Sequence, residues 1–411
     1  MSDFYDALET RDPQQREQEL FAALPRQLVN ARAHASHFSA LLDGIELGQI
    51  CSREALASLP VTRKSELSSL QSSSPPFGGL AATPIAEVAR VFASPGPVFE
   101  PETQRTDYWR CARALFAAGI RRGELLHNTF SYHFTPAGSM MESGAHALGC
   151  AVFPAGGGQT ELQLQAIGHL RPSAYAGTPS FLRILVDKAK ELGADISSMN
   201  KAMVGGEALP PSLRAALAES GIRVRQCYAS ADLGLIAYES PALEGLIVDE
   251  GVIVELLTPG TGDPVAEGDV GEVVVTTLNQ DYPLIRFATG DLSAHLPGSS
   301  PCGRTGMRIK GWMGRADQTT KVRGMFVHPS MVVELAKRHP EIVRARLVVS
   351  NPEHNDRMLL RCESASLDEA LREALQKAIR EVTKLRGEVE FVAPGSLPND
   401  GKIIDDLRTY R

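Results

Sequence analysis

The sequence predicts an α/β protein with a large N-terminal domain, carrying a parallel sheet and an antiparallel β subdomain, and a small C-terminal α+β domain. Three observations lead there. Between about Glu124 and Ser230, strand-like runs around Leu126, Val152, Ala174, Ala202 and Val224 are separated by longer stretches of helical character, the alternation of a parallel sheet with crossover helices. After Gly245 the runs GLIVDEGVIVEL, GDVGEVVVTTL and LIRFATGDLS are β-rich and joined by short turns, which predicts a predominantly antiparallel subdomain over about 245–312. From Asp317 the order is helix, strand, strand, helix, strand, a unit of ~90 residues that falls within the usual domain range. A chain of 411 residues also exceeds what one hydrophobic core usually supports, so the expected domains are 1–316 and 317–411.

Taken in order, the apolar residues from about Gln14 to Leu42 recur at helical spacing, and Leu59 to Ser65 reads as a loop with a helix start. Ser72 to Gly79 is a second loop, rich in Ser, Pro and Gly. In the C-terminal region a helix is expected from Ser330 to Arg338, and strands at Arg344 to Val349 and Met358 to Cys362. A longer helix follows from Leu367 to Leu385, with Leu367, Leu371, Leu375, Ile379 and Val382 along one face. The chain closes with a strand at Glu388 to Val392 and a loop containing Pro398-Asn399-Asp400-Gly401-Lys402.

A hydrophobic content of 43% with 22% charged residues is that of an ordinary globular protein with sizeable cores. Forty-two basic against 49 acidic residues, a formal charge of -7, argue against a dedicated nucleic-acid or anionic-membrane surface, while leaving room for a local basic pocket. The opening MSDFYDALETRDPQQREQEL lacks the basic start and apolar run of a signal peptide, and no segment reaches the ~18 unbroken apolar residues of a membrane span, so a cytoplasmic protein is expected. The six cysteines are widely separated with no C-x-x-C pair, which implies neither a disulfide framework nor a zinc knuckle.

Four stretches carry a family pattern. Leu59-Pro60-Val61-Thr62-Arg63-Lys64-Ser65-Glu66-Leu67 has the form LP-x-T-x-K-x-x-L, and LGCAVFPAGGGQTELQLQAI with AGTPSFL reads as a central sheet region. Val204-Gly205-Gly206-Glu207-Ala208 has the form of a G-G/A-E loop, and Ile285-Arg286-Phe287-Ala288-Thr289-Gly290-Asp291 that of R-[YF]-x-T-x-D. Gly314-Arg315-Ala316-Asp317, then Val322-Arg323-Gly324 and Phe326-Val327-His328-Pro329, follow as G-R-x-D and R-G-x-x-[IV]-x-P, with Gly401-Lys402 at the end. Each is weak alone; in this order and at these separations the chain resembles the phenylacetate-CoA ligase-like branch of the adenylate-forming acyl-CoA synthetase (ANL) superfamily. The resemblance runs nearly end to end. It implies ATP-dependent activation of a carboxylic acid, aromatic or arylacetic, to an acyl-adenylate, then transfer to coenzyme A with release of AMP.

Transfer of AMP to a carboxylate builds negative charge at the α-phosphorus, so the site needs a well-placed cation. Lys402 is the candidate, and the resemblance implies that it bridges the acyl carboxylate and the α-phosphate; the plain alternative is a solvated lysine on a terminal loop. Asp291 is expected to accept from the ribose hydroxyls, unless it is an ordinary turn aspartate. Arg315 adds contacts to ribose or phosphate through its planar fork, or is a surface arginine. Tyr228 ends a strand at the carboxyl edge of the expected parallel sheet, where ligands of such sheets bind, and its ring would stack on adenine; a core tyrosine is the rival. Gly205, Gly206, Glu207 and Ala208 let backbone pass close to the base.

Asp232, four residues after Tyr228, is the candidate Mg²⁺ ligand. Asp317 is expected as the hinge about which the family's small, mobile domain turns between half-reactions, bringing Arg323, Gly324 and Phe326 to the thioester-forming site in place of Lys402. The acyl pocket is assigned to Tyr132, His133, Phe134 and Thr135, after a strand over Leu125 to Phe130, with Ala176 and Gly177; aromatic clusters of this kind are also plain core. Relatives of this branch are often homodimers, which leaves that state open here.

Two departures stand out. The family's phosphate loop is rich in Ser, Thr and Gly and carries a lysine, whereas the corresponding stretch, Phe92-Ala93-Ser94-Pro95-Gly96-Pro97-Val98, has two prolines that remove amide donors and has lost the lysine; Ser94 and Gly96 remain as phosphate contacts. The family's Y-G-x-[ST]-E motif reads Tyr228-Ala229-Ser230-Ala231-Asp232, with the hydroxyl displaced and the acid one methylene shorter. Of the cysteines and histidine that hold zinc in some relatives only Cys302 is kept, so no structural zinc is expected. Three activities are compatible with these changes: a CoA ligase with a reduced phosphate grip, an adenylating enzyme that passes the acyl group to an amine or a carrier protein, and a silent nucleotide- or acyl-CoA-binding homologue. A Rossmann dehydrogenase is disfavoured because no G-x-G-x-x-G follows an early strand.

Overall fold

The computed structural model describes residues 3–408 except 260, 314, 317, 319, 324, 328, 353–355, 366–367 and 399–401. Two compact units divide the chain, Met1–Met313 and Gly314–Arg411.

The first unit opens with the helix Pro13–His34, started by the Asp12 side chain, which accepts from the amides of Gln14 and Gln15, with proline at the first helical position. Its buried stripe of Leu20, Phe21, Leu24, Leu28 and Ala31 follows the expected helical spacing. The periodicity does not run unbroken to Leu42: extended backbone at Ala35 starts a second helix, Ser36–Leu41. The Leu59 to Ser65 segment contains a short strand, β1 (Thr62–Arg63), before the turn that leads into the helix Leu67–Ser73. The altered phosphate loop is the tip of a hairpin formed by β2 (Arg90–Ser94) and β3 (Val98–Glu102), a pairing not anticipated from the sequence.

The expected parallel sheet is present as β4 (Leu125–Asn128), β5 (Ala151–Pro154), β6 (Ala174–Gly177), β7 (Lys201–Val204) and β8 (Arg223–Ser230). Its order is β5-β4-β6-β7-β8, all parallel, with crossover helices between successive strands. β6 and β7 are buried along their whole length, as strands covered on both faces must be. The helix Pro179–Leu192 illustrates how the crossovers are fixed: Thr178 accepts from the Phe181 amide, Gly193 closes the end with φ of 65°, and Leu182, Leu185, Val186 and Ala189 face inward.

After β8 the chain turns back. β9 (Gly234–Glu239) and β10 (Leu246–Val248) extend the same sheet antiparallel. The expected subdomain is therefore divided. β11 (Val252–Leu257), β12 (Val270–Thr277) and β13 (Phe287–Ala294) form a separate antiparallel sheet to which β1 adds in parallel, whereas β14 (Arg308–Ile309) returns to pair with β10 on the large sheet. Burial on both faces of β10, rather than alternation, explains why its apolar run could not be assigned to one sheet from the sequence.

In the second unit β15 (Thr320–Val322) and β16 (Met325–Val327) form a ribbon. A four-stranded sheet follows from β17 (Arg344–Ser350), β18 (Arg357–Glu363), β19 (Glu388–Val392) and β20 (Ile404–Asp406), in the order β19-β18-β17-β20. Helices Pro329–Arg338 and Glu369–Thr383 accompany it, the second burying Leu371, Leu375, Ala378 and Ile379. Among the described residues no helix is long and apolar enough to cross a membrane.

Candidate active site

The carboxyl ends of β4, β6, β7 and β8 lie side by side, the place where open parallel sheets bind ligands. The Gly205 amide donates to the Gly177 carbonyl at 3.2 Å, tying the turn after β7 to the end of β6. Gly177 is required by crowding: a Cβ there would lie 2.0 Å from Thr129 Oγ1 and 2.2 Å from Tyr175 Oη. A Cβ on Gly205 would sit 3.1 Å from Cys227 Sγ, and Gly206 has a φ of +75° that favours glycine. Phe130, absent from the sequence-based site, has its ring 3.9 Å from the Cβ positions of both glycines. Glu207 is exposed and Ala208 half-buried beside them.

Tyr228 and Asp291 come together. The Tyr228 hydroxyl lies 2.9 Å from Asp291 Oδ2 and 3.2 Å from Thr289 Oγ1, while Trp312 Nε1 donates to Asp291 Oδ1 at 3.1 Å. Thr289 in turn donates to the Val273 carbonyl at 2.9 Å, which anchors the Thr-Gly-Asp turn on β12. Ser230 Oγ accepts from the Leu233 amide at 3.2 Å and lies 3.4 Å from Asp232 Oδ2, so the displaced hydroxyl does face the acid of its motif.

A family model for AMP-binding enzymes matches residues 107–279. The phenylacetate-coenzyme A ligase of Thermus thermophilus is 31% identical over 402 residues, covering 86% of this chain and 88% of the relative. That of Escherichia coli is 31% identical over 360 residues, covering 80% of each. The chain belongs to the phenylacetate-CoA ligase-like branch of the adenylate-forming enzymes. A solved 2-hydroxyisobutyryl-CoA ligase, at 24% identity, shares the fold with a TM-score of 0.82 over 100% of this chain and 93% of that one.

For a member of this branch the phosphate side is unusual. Ser94 Oγ, at the hairpin tip, donates to Glu100 Oε1, and Pro97 follows Gly96 through a cis peptide. Asp232 does not stand open: Lys64 Nζ donates to its Oδ2 at 2.6 Å, and its side chain is fully buried. Burial pulls the Lys64 ammonium down, but Asp232, with Glu100 and Asp291 behind it, raises it above the ordinary lysine range. Burial first, and then the charge of Asp232, push the Glu100 carboxyl up to about 8. Asp232 Oδ1 is buried without a hydrogen-bond partner, a lone pair left over for a hard cation, so this residue fits the Mg²⁺ that accompanies ATP. Lys64 lies in the LP-x-T-x-K segment, a position to which the sequence pattern alone assigns no role. Glu100 could have been found from the alternation of β3, which puts it on the buried face with Val98.

The expected acyl pocket is only partly gathered. Ala176 and Gly177 lie on the buried edge of β6. β4 ends at Asn128 instead of Phe130: the Thr129 amide makes the last bond to β6, at the Ala176 carbonyl, and the Thr129 hydroxyl donates to Tyr175 Oη. Tyr132 is held by Glu142 and Asn128 at 2.7 and 2.8 Å. His133 is exposed, Thr135 half-buried, and Phe134 is 80% exposed with a φ of +61°, so this ring is no core residue. The Phe134 carbonyl accepts from the Ala93 amide at 2.8 Å, which joins that loop to the phosphate hairpin.

In the second unit Lys402 is 55% exposed, with Nζ 3.5 Å from Asp405 Oδ1. Gln318 Oε1 accepts from the amides of Ile403 and Ile404 at 2.7 and 3.2 Å, fixing the backbone that follows Lys402. The Arg323 guanidinium donates to the Asp356 carbonyl at 2.7 and 3.0 Å, and Arg315 is half-buried. Asp317 and Gly324, like the Phe326 side chain, lie outside the described residues.

Proposed function

We propose that this chain activates a carboxylic acid with ATP and passes the acyl group to coenzyme A, releasing AMP. The observation that carries the reading is the Tyr228–Asp291 pair at the carboxyl edge of the parallel sheet, beside the Gly205-Gly206 turn, in a chain that shares 31% of its residues with a phenylacetate-coenzyme A ligase over 88% of that relative. Tyr228, with Gly205 to Ala208, borders the adenine, and Asp291 takes the ribose hydroxyls. Lys402 neutralises the charge that develops at the α-phosphorus, and stabilising that charge is the main work of phosphoryl-type transfer. In the second half-reaction the small domain turns at Asp317 and the Arg323 to Phe326 segment lines the path of the thiol. Asp232 would hold the Mg²⁺ that accompanies ATP, which would supply positive charge against the phosphate oxygens. The acid is aromatic or arylacetic, the protein is cytoplasmic, and a homodimer is the expected assembly.

The test is AMP and pyrophosphate release with a panel of aryl and short aliphatic acids, with and without CoA, in wild type and Lys402→Ala. AMP formed with acid and CoA together, and lost in the variant, supports the ligase. The commitment of Ser94 to Glu100, across a tip that carries Pro95 and Pro97, favours a second reading, a homologue that binds nucleotide without turnover. Measurable ATP binding with no AMP from any acid would select it.

A further inference from the structure

The hairpin tip that replaces the phosphate loop offers few donors, yet the residues beneath it are arranged around charge. Glu100 is 0% and Asp232 4% exposed, so both carboxyl groups are cut off from bulk water. Each has one oxygen held: Asp232 Oδ2 by Lys64 Nζ at 2.6 Å, and Glu100 Oε1 by the Ser94 hydroxyl. Each has its other oxygen, Asp232 Oδ1 and Glu100 Oε2, buried without any hydrogen-bond partner. Leaving a buried acceptor unsatisfied costs about 1–3 kcal/mol, more for a charged group, so two such atoms in mutual electrostatic range require an explanation.

We infer that Glu100 and Asp232 together form a divalent-cation site, Glu100 Oε2 being a second protein ligand in addition to Asp232 Oδ1. Magnesium is ordinarily bound by one or two carboxylates plus substrate phosphates, not by a closed protein cage. Glu100 and Asp232 supply two carboxylates, and the remaining positions would fall to phosphate oxygens and water. Charge favours it too. A dication bound by the two carboxyl groups would add positive charge beside the Lys64 ammonium, which the Asp232 carboxylate already neutralises, and the pair of cations would attract the oxygens of an anionic ligand. A triphosphate would then be gripped through the metal and Lys64, where the family's loop uses hydroxyls, amides and its own lysine. Ser94, the hydroxyl that survives in the loop, acts as a positioning residue for Glu100.

The inference rests on the reading that this chain binds ATP, and metal binding measured without turnover separates the two. Mn²⁺ would be titrated into the full chain and followed by the loss of the free-ion electron paramagnetic resonance signal, alone and with a non-hydrolysable ATP analogue. Glu100→Gln keeps the shape of the side chain and removes its charge; it is expected to weaken Mn²⁺ by about tenfold or more in both titrations, as Asp232→Asn does, with thermal stability retained. Should Glu100→Gln fail to fold, Glu100→Asp, which withdraws the oxygen by one methylene, serves in its place with the same expectation. Wild-type affinity in the Glu100 variant alongside a loss in Asp232→Asn would overturn the assignment, as would a wild-type chain that takes up no Mn²⁺ with or without the analogue. Retained Mn²⁺ affinity in a chain that makes no AMP would sink the ligase reading and leave the metal site standing.

Discussion

The Asp291 carboxylate is held between two donors, the Tyr228 hydroxyl at 2.9 Å on one oxygen and Trp312 Nε1 at 3.1 Å on the other. Held on both oxygens, the carboxylate is fixed in the plane in which ribose hydroxyls must approach it. The charge is therefore the part that matters most for binding. Asp291→Asn is expected to weaken ATP and AMP alike by about 10- to 100-fold, the range of a charge-assisted hydrogen bond, whereas Tyr228→Phe loses about tenfold or less. Calorimetric titration with both nucleotides checks the order; a loss in Tyr228→Phe as large as that in Asp291→Asn would mean that the carboxylate charge is not the dominant contact.

Arg286 has a different destiny from the rest of its motif. Its guanidinium is 1% exposed and donates to both oxygens of Glu255 and to the carbonyls of Ala57, Leu59 and Gly262. That uses its donors on structure, pinning the segment before β1 against β11. Arg286→Ala would leave Glu255 charged and buried without its partner, a loss of about 3–5 kcal/mol. Arg286→Lys cannot reproduce the fork and should also destabilise strongly. Urea denaturation reads both; a Lys variant as stable as wild type would show that the point charge alone suffices.

This arginine marks where the sequence was and was not informative. Alternating strands and helices between residues 124 and 230, among them a helix capped by Thr178 and stopped by Gly193, carried the parallel sheet in their local chemistry. Motif order located Tyr228 and Asp291 on neighbouring segments. Partners that depend on distant pairing were invisible: Lys64 reaches Asp232 only because β1 joins β13 in parallel, and Ser94 meets Glu100 only because Arg90–Ser94 folds back on β3. Nor could β10 and β14 be assigned to the large sheet, since strands buried on both faces have no alternation to reveal which sheet they join.

Asp107 predicts a pH dependence. Burial, reinforced by Asp249, raises its carboxyl to about 7, although the Ala112 amide and Arg110 oppose the shift. A carboxyl whose pKa is higher in the folded chain binds its proton more tightly there, so the folded state holds more protons than the unfolded state between about pH 4 and 7. Stability must then fall as pH rises through that window, by up to about 4 kcal/mol from this group. Asp107→Asn keeps an acceptor for Ala112 and tolerates the left-handed φ of 49°, so it should flatten the slope and raise the melting temperature more at pH 8 than at pH 5. Parallel melting curves for wild type and variant would sink the assignment.

Gly177 tests how tightly the site edge is built. Its φ lies outside the left-handed region, so alanine brings no backbone penalty there, and by reducing unfolded-state entropy the substitution would ordinarily stabilise by about 0.4–1 kcal/mol. Contact decides otherwise. The new methyl would fall 2.0 Å from Thr129 Oγ1, 2.2 Å from Tyr175 Oη and 2.6 Å from Tyr175 Cζ, between two groups that hydrogen-bond each other at 2.7 Å. Neither has space to retreat, because Tyr175 is fully buried and Thr129 is tied to the Ala176 carbonyl. Overpacking costs about 1–3 kcal/mol and the broken buried hydrogen bond a similar amount, so Gly177→Ala should destabilise by several kcal/mol and open the end of β6. Denaturant midpoints give the loss, and hydrogen exchange at the Thr129 and Gly205 amides, bonded to Ala176 and Gly177, locates it. Unchanged protection at both amides would mean that the sheet edge yields without strain, and that glycine at this position serves the bound acid instead of the fold.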